Sequence, residues 1–193
     1  MGSGEMSWLS NSGTIRGVGV ISTDQYSPDE VADRLAINAV IDLYVHAIDG
    51  KDYDALDTVF TEDARFDLHT AGGPVAGWSE VKRHYQESLD KFVHYCHVFT
   101  NVLIDFSEDR SSANTKSKVI SPHELVGQDG KLYHFEIIGW YLDRWINTSE
   151  GWRISEREWH HDFIWGDSPN DLPGTLAHLG LPGTGSLPET NDL

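Results

Sequence analysis

A chain of 193 residues with 39% hydrophobic and 23% charged residues has the length and composition of one globular domain with its own core. Its formal net charge of −17 argues against binding to nucleic acid or anionic membranes, which both attract basic surfaces. No apolar run approaches the ~20 residues of a membrane span, and the N-terminus lacks the basic and apolar stretches of a secretory signal. Cys96 is the only cysteine, so no internal disulfide can form, and we expect a cytoplasmic protein.

Residues 1–26 contain many glycines and serines without a sustained hydrophobic period, so we expect a mobile N-terminal arm. A first helix is predicted to begin at Pro28, because Ser27 can cap its N-terminus and proline suits the first helical position. Four apolar residues then recur at helical spacing: Ile37, Ile41, Tyr44 and Ile48. The helix is predicted to end at Gly50, and a second short helix to lie between residues 52 and 60.

The rest of the chain favours strands. A short strand is predicted over residues 65–68 and a third helix over residues 78–92. Four further strands, separated by turn sequences, are predicted over residues 97–106, 112–125, 131–146 and 151–165. Residues 167–193, rich in glycine and proline, are expected to form a tail. This order predicts an α+β domain over residues 27–166, a cone in which a curved antiparallel sheet wraps around the N-terminal helices and encloses one cavity.

Four segments of the sequence are distinctive: YVHAIDGKDYDAL at residues 44–56, FTEDA at 60–64, HVFTN at 97–101 and GWRI at 151–154. They resemble landmarks of the SnoaL-like family in the nuclear-transport-factor-2-like superfamily. The resemblance covers about residues 30–166 and implies the cone fold. The superfamily includes scytalone dehydratase, bile-acid dehydratase, hexachlorocyclohexane dehydrochlorinase, ketosteroid isomerase, polyketide cyclases and the structural small subunits of ring-hydroxylating dioxygenases. Because one fold supports many reactions, the resemblance predicts the fold better than the chemistry.

The resemblance is most specific for three positions, which it implies are catalytic. In the dehydratase and dehydrochlorinase branches an aspartate ends the first helix and a histidine opens the strand after the third helix. Asp49 and His97 occupy these places, and Tyr44 matches a tyrosine of bile-acid dehydratase five residues before the aspartate.

The pattern departs from scytalone dehydratase at a second histidine, which that enzyme carries on the following strand. This chain is expected to offer Ser117 or a neighbour there. Tyr44, Arg157 and His161 are therefore the candidates for assisting a leaving oxygen.

The physics of the two main candidates supports a functional pair. Asp49 lies in the last turn of its helix, where the helix dipole disfavours a negative charge, although it could instead be a surface carboxylate or a partner for Lys51. Strand alternation places His97 on one face with Phe99, Asn101 and Leu103. Histidine exchanges protons readily near neutral pH; the alternative is a buried histidine bonded to a carbonyl.

Eight further residues are predicted to bind substrate. Aromatic residues make up 11% of the chain, which suits an apolar, ring-shaped ligand, although core packing explains aromatic residues equally well. On the last strand, alternation places Arg157, Trp159, His161 and Phe163 on one face. The predicted binding residues are Tyr53, Phe66, Phe99, Asn101, Trp140, Arg157, Trp159 and His161.

Together these features predict a cofactor-independent lyase that acts on a hydrophobic, aromatic or polycyclic hydroxylated small molecule. It would cleave a C–O or C–C bond by Asp/His acid–base catalysis. An isomerase or polyketide cyclase using the same cavity is the alternative, and a non-catalytic assembly subunit is a second one. No metal or cofactor is predicted, since HExxH, CxxC, EF-hand, GxGxxG and P-loop patterns are absent from the sequence. By analogy with the superfamily we expect a homodimer or homotrimer.

Overall fold

The first helix begins where its capping residues predict. In the computed structural model, which describes residues 26–127 and 129–167, helix α1 spans Pro28–Asp49. The Ser27 side chain accepts a hydrogen bond of 3.1 Å from the backbone N–H of Glu30. The predicted arm and tail lie outside the described residues except for Tyr26 and Asp167.

The described residues contain two helices and seven strands, and the two shortest strands were not predicted. Short 3₁₀ turns occupy Ala55–Thr58 and His69–Ala71, and the second helix, α2, is Trp78–Leu89. The strands are β1 (Phe60–Asp67), β2 (Val75–Gly77), β3 (His94–Tyr95), β4 (Val98–Phe106), β5 (Ser112–Val126), β6 (Leu132–Thr148) and β7 (Gly151–Gly166). The residues predicted as a second short helix therefore form a 3₁₀ turn that leads into β1.

The strands form one curved sheet in the order β2-β1-β7-β6-β5-β3, with β4 also paired to β5. The expected α+β cone with a curved sheet is confirmed, and the structure adds one parallel pairing, between β1 and β7. Strands β4 to β7 follow one another through tight turns, which allow only antiparallel neighbours. Strand β1 joins the sheet from far away in sequence and is free of that constraint.

Irregular pairing bends the sheet around the helices. The register shifts between β4 and β5, twice between β6 and β7, and once between β1 and β7. Such bulges increase the local twist and bend the strand. The apolar face of α1 and the residues Trp78, Val81, Tyr85 and Leu89 of α2 pack into the resulting concave side.

The bulge in β4 overturns the predicted alternation of that strand. Asn101 takes a positive φ of 53°, and the register shifts between Thr100 and Leu103. Asn101 and Leu103 consequently face solvent, although they were predicted to share the face of His97. Beyond the bulge Val102, Ile104 and Phe106 pack against the core.

A second bulge exchanges the inward-facing and outward-facing residues at the end of β7. Ile138 of β6 pairs with Phe163, whereas the next residue, Gly139, pairs with His161, so Asp162 has no opposite partner in the ladder. Phe163 is therefore 50% exposed and Ile164 is buried. The prediction that Phe163 shares the inner face with Arg157 is wrong for this reason.

The outer face of the sheet carries an apolar row across four strands. Val98 pairs with Ile120, Ile120 with Ile138, and Ile138 with Phe163. The homodimer or homotrimer stays a prediction. Within the described residues no helix combines the length and the hydrophobicity that a bilayer span requires.

Gly139 provides a test of the β6–β7 bulge. A Cβ atom there would lie 2.4 Å from the His160 carbonyl oxygen and 2.6 Å from the Trp159 ring. We expect Gly139→Ala to lower the free energy of unfolding by about 1–3 kcal/mol, because an added methyl group overpacks this contact. Urea denaturation measures the loss; an unchanged midpoint with an unchanged m-value would contradict it.

Candidate functional site

A cavity of about 120 Å³, partly open to solvent, lies between α2 and the inner face of the sheet. Apolar atoms dominate its wall, and the polar side chains in it carry hydroxyl, indole and imidazole groups. Helix α2 contributes His84, Tyr85, Ser88 and Leu89, and the loop after β1 contributes Leu68, Ala71 and Gly73. The remaining lining residues are His97, Val119, Ser121, His123, Ile137, Tyr141 and Trp159.

Asp49 and His97 meet at this wall. Asp49 is the last residue of α1, and His97 directly precedes β4. The Oδ1 atom of Asp49 lies 2.7 Å from Nδ1 of His97, and Oδ2 accepts a 3.0 Å hydrogen bond from the backbone N–H of His97. One carboxylate thus holds both the ring and the backbone of one residue.

This arrangement selects one tautomer of the imidazole. A carboxylate accepts the Nδ1 hydrogen, so Nε2 is left as the basic nitrogen. The His97 side chain is 10% exposed and lines the cavity, where Nε2 can exchange a proton with a ligand. Asp49 is not paired with Lys51, since the Lys51 amine contacts Asp90 at 3.2 Å. The Nδ1 atom of His97 is bonded to a carboxylate and not to a backbone carbonyl.

A second histidine lies beside His97, contrary to the expectation that this chain lacks one. The ring of His123, on β5, has its centroid 6.5 Å from that of His97. It stacks on Phe135 at 5.1 Å and packs against Phe92 at 4.6 Å. Ser117, the predicted occupant, is buried six residues earlier on the same face of β5 and is not part of the cavity wall.

Strand periodicity could have located His123. Alternate residues of β5 point inward without interruption. They are Ala113, Thr115, Ser117, Val119, Ser121, His123 and Leu125. Placing Ser117 inside therefore places His123 inside as well.

His123 is a neutral imidazole at physiological pH. Burial lowers its pKa to about 3, and the neighbouring His97 contributes in the same direction. Its Nδ1 atom is buried and has no hydrogen-bond partner among the described residues. A neutral ring of this kind can donate or accept one hydrogen bond without adding charge to the cavity.

Tyr44 and Arg157 lie behind the cavity wall rather than in it. The Arg157 guanidinium is fully buried and donates to both oxygens of Asp143, at 2.7 and 2.9 Å. Its central carbon lies 4.2 Å from the ring centroid of Tyr44 and 4.1 Å from that of Tyr141. Burial by itself would lower the pKa of Arg157, but Asp143 outweighs it and raises the pKa above its ordinary value. Arg157 is therefore a buried cation matched by one carboxylate, and Tyr141 separates it from the cavity.

Four of the predicted binding residues have other roles. Trp140 is on the outer face, where the amines of Lys116 and Lys118 lie 4.5 and 4.4 Å from its ring. Asn101 is exposed at the β4 bulge. Phe66 packs in the core against Phe60 and Trp78, and Tyr53 is held by a hydrogen bond to Asp90. None of these four side chains is part of the cavity wall.

Besides Arg157, the remaining three predicted binding residues are on the inner side of the sheet. Trp159 lines the cavity, and Gly139 leaves the space for its ring. Phe99 stacks on Tyr141 at 5.5 Å, one layer behind the wall. His161 pairs with Gly139 on the inner side, and burial lowers its pKa while Asp162 opposes the shift. It does not line the cavity.

Sequence reasoning did not identify Tyr85 and Tyr141 as residues that line the cavity. Tyr85 belongs to the apolar stripe of α2, a pattern that indicates packing and does not distinguish a cavity wall from a core. Within the described residues, no group of three or more His, Cys, Asp or Glu side chains is arranged to hold a metal ion.

Comparison with known proteins relates the chain to one family. The SnoaL-like domain family matches residues 29–158. An uncharacterized protein of Mycobacterium tuberculosis is 31% identical over 138 residues, which covers 72% of this chain and 91% of that protein.

Solved structures share the architecture. A candidate aromatic ring hydroxylase from Novosphingobium aromaticivorans is 27% identical with a TM-score of 0.62, covering 77% of this chain and 97% of that one. A candidate scytalone dehydratase from the same organism is 21% identical with a TM-score of 0.63, covering 71% and 89%. The hexachlorocyclohexane dehydrochlorinase LinA-type3 from Novosphingobium barchaimii is 16% identical with a TM-score of 0.62, covering 72% and 92%. At these identities the last two comparisons show a common fold alone.

The buried ion pair gives a stability prediction. Asp143→Leu or Arg157→Met alone leaves one buried charge without its partner, and each should lower the free energy of unfolding by about 3–5 kcal/mol. The double variant removes both charges and should be more stable than either single variant. Urea denaturation of the four proteins completes the cycle; additive losses would contradict the pairing.

His123 gives a prediction about pH. Below about pH 6.5 the unfolded chain protonates this histidine, whereas the folded protein does not until about pH 3. Its contribution to stability is therefore present above pH 6.5 and is lost as the pH falls. Between pH 7 and pH 5 wild type should lose about 2 kcal/mol more stability than His123→Phe.

Urea titrations at the two pH values measure this difference. His46→Gln, a change at an exposed histidine of α1, is the control and should keep the wild-type pH dependence. Equal pH dependence of wild type and His123→Phe would show that the folded protein protonates His123 normally.

Proposed function

The chain belongs to the SnoaL-like family, and we propose that it is a cofactor-independent lyase whose base is His97, supported by Asp49. The observation that carries this proposal is the two-point contact between Asp49 and His97 at the wall of a mostly apolar cavity. The fold shared with proteins named as a dehydratase and a dehydrochlorinase supports elimination as the type of reaction.

In the proposed reaction Nε2 of His97 takes a proton from a substrate carbon atom. The electron pair of that C–H bond forms a carbon–carbon double bond, and hydroxide or another anionic leaving group departs from the adjacent carbon. The departing hydroxide then takes the proton from His97 and leaves as water, which restores the neutral imidazole. The imidazolium that forms is stabilised by Asp49, which already holds the opposite ring nitrogen. General acid–base catalysis of this kind contributes about 10²–10⁴-fold.

The surroundings of the dyad support a hydrophobic substrate with aromatic rings. Tyr85, Tyr141 and Trp159 present ring surfaces to the cavity, against which an aromatic or polycyclic ligand can pack. His123 and Ser121 add neutral polar groups beside His97 that can hydrogen-bond a departing hydroxyl. This combination favours a hydroxylated apolar molecule and cleavage of a C–O or C–C bond.

An isomerase or cyclase is the second candidate, because a proton removed by His97 could be returned to another carbon of the same ligand. Mass spectrometry of the product separates the two candidates. Elimination of water lowers the mass of the substrate, and isomerisation leaves it unchanged. A non-catalytic assembly subunit is less well supported, since such a subunit has no need of an imidazole held by a carboxylate in a cavity.

The dyad provides the test of the proposed function. We expect Asp49→Asn and His97→Gln each to lower kcat by about 10²–10⁴-fold, because the first removes support for the imidazolium and the second removes the base. Turnover of a panel of hydroxylated aromatic compounds is followed by mass spectrometry, and circular dichroism checks the fold of each variant.

Asp42→Asn is the matched control for this experiment, since Asp42 is an exposed aspartate on the same helix. It should retain wild-type activity. Near-wild-type turnover by both dyad variants would exclude the proposed role of the pair.

A further inference from the structure

Helix α2 presents two polar side chains to the cavity. His84 and Ser88 are one helical turn apart on the same side of the helix, and both line the cavity. Their inner neighbours, Tyr85 and Leu89, are buried, whereas His84 and Ser88 are partly exposed. These two residues, the helix pair, therefore form a polar edge of the wall on the side of the cavity that is nearer to solvent.

The helix pair contacts the loop after β1. The Oγ atom of Ser88 lies 3.5 Å from Nδ1 of His84. A Cβ atom at Gly73 would lie 3.4 Å from Nε2 of His84 and 2.7 Å from Cβ of Leu68. Gly73 thus leaves space beside the imidazole that a larger residue would fill, and Gly73 itself lines the cavity.

Other polar groups lie on the opposite wall. The cavity separates α2 from the sheet, and His97, Ser121 and His123 line it on the side of the sheet. Glycine and apolar or aromatic side chains make up the rest of the wall among the described residues. The cavity therefore has hydrogen-bonding groups on two opposite walls of an otherwise apolar surface.

A ligand with one polar group can satisfy only one of these two walls. Its apolar end would displace water from the helix pair without replacing the lost hydrogen bonds, which is unfavourable for partly buried polar groups. A site that hydrogen-bonds a hydroxyl group also discriminates strongly against an analogue that lacks this group. The two polar walls therefore favour a ligand with polar groups at two opposite ends.

The chemistry of the helix pair favours a hydroxyl group as its partner. When Nδ1 of His84 carries the proton, Nε2 is an acceptor; when Ser88 donates to Nδ1, Nε2 carries the proton and donates. A hydroxyl group can bind either tautomer because it both donates and accepts, whereas a carbonyl oxygen only accepts.

A carboxylate is disfavoured at the same place. Ser88 lies in the last turn of α2, where the helix dipole is unfavourable for a negative charge. None of the described residues that line the cavity is a lysine or an arginine, so an anionic group would lose its hydration without gaining a permanent cation as partner.

We propose that His84 and Ser88 bind a second hydroxyl group of the substrate, on the side of its ring opposite to the group that faces His97. The substrate class is then a ring with two oxygen substituents in a para arrangement, since such substituents point toward opposite walls. This inference rests on the proposed function in taking the cavity beside His97 as the substrate site, and it adds the arrangement of polar groups that the cavity selects.

Four single-ring probes test the inference. Hydroquinone has two para hydroxyl groups, p-cresol replaces one of them with a methyl group of similar size, catechol has two adjacent hydroxyl groups, and 4-hydroxybenzoate carries a charge. Dissociation constants are measured without oxygen by titration calorimetry or ligand-observed NMR. Wild type should bind hydroquinone about threefold to tenfold more tightly than p-cresol, the range that one net hydrogen bond provides. Catechol and 4-hydroxybenzoate should both bind more weakly than hydroquinone.

Variants locate the second hydroxyl site. His84→Leu and Ser88→Ala should each bring the preference for hydroquinone over p-cresol to one or below, because an apolar end of the cavity prefers the methyl group. Ser79→Ala makes the same change at an exposed serine of α2 that does not line the cavity, and it should keep the wild-type preference. Thermal unfolding followed by circular dichroism checks that each variant is folded.

Four results would overturn the inference: p-cresol binding as tightly as hydroquinone, catechol or 4-hydroxybenzoate binding more tightly than hydroquinone, no measurable binding of hydroquinone, or a wild-type preference in folded His84→Leu and Ser88→Ala. His97→Gln separates this inference from the proposed function, since both hydroquinone and p-cresol keep a hydroxyl for the opposite wall. A wild-type preference in that variant together with full turnover would exclude the catalytic role of His97 and leave the helix pair as a binding site. No preference in wild type, with turnover lost in His97→Gln, would exclude only the second hydroxyl site.

Discussion

Arg157 places a positive charge in the interior of the cone, and the neighbouring elements are arranged around it. Its guanidinium is bound by Asp143 from β6, and its faces are covered by Tyr44 from α1 and Tyr141 from β6. The rings of Phe60 and Phe99, from β1 and β4, lie 5.3 and 5.8 Å from it. A guanidinium is planar and weakly hydrated, so it can stack between aromatic rings while its edge bonds a carboxylate. One side chain thus connects α1 to strands that are far apart in sequence.

This interior supports the site from behind. The Tyr44 ring contacts Arg157 on one side and lies 6.3 Å from the His97 ring on the other. The Tyr141 ring contacts the Arg157 guanidinium and also lines the cavity. Asp49 then fixes His97 through both its ring and its backbone. The dyad is consequently held between the last residue of a helix and the residue that directly precedes a strand, so a regular element borders it on each side.

Among the described residues, the acidic and basic side chains near the cavity do not line it. Its wall presents imidazole, phenol, indole and hydroxyl groups, and the acidic and basic side chains that act on it lie one layer back: Asp49 behind His97, and the Arg157–Asp143 pair behind the tyrosines. In an apolar environment such charges act strongly at short range, whereas a charge in the wall itself would bind water or a counter-ion. The arrangement suits proton transfer in an uncharged ligand.

Local sequence patterns were sufficient to predict the two helices and the four long strands. Ser27 and Pro28 predicted the start of α1, apolar spacing predicted both helices, and turn sequences predicted the four long strands, because caps, periods and turns are properties of neighbouring residues. The positions of Asp49 and His97 came from the resemblance and from their places at element ends. Strand periodicity also indicated the position of His123. Extending the alternation of β5 from Ser117 places His123 on the same inner face.

Tertiary structure alone decided which side chains reach the cavity. The bulges at Asn101 and Asp162 reversed the facing of Asn101, Leu103 and Phe163, and a bulge depends on how two distant strands pair, which alternation within one strand does not contain. Arg157 was correctly predicted to face inward, but whether an inward residue touches a ligand or lies one layer deeper depends on what packs over it. Here Tyr44 and Tyr141 cover it, and their rings come from elements that only the folded chain brings together.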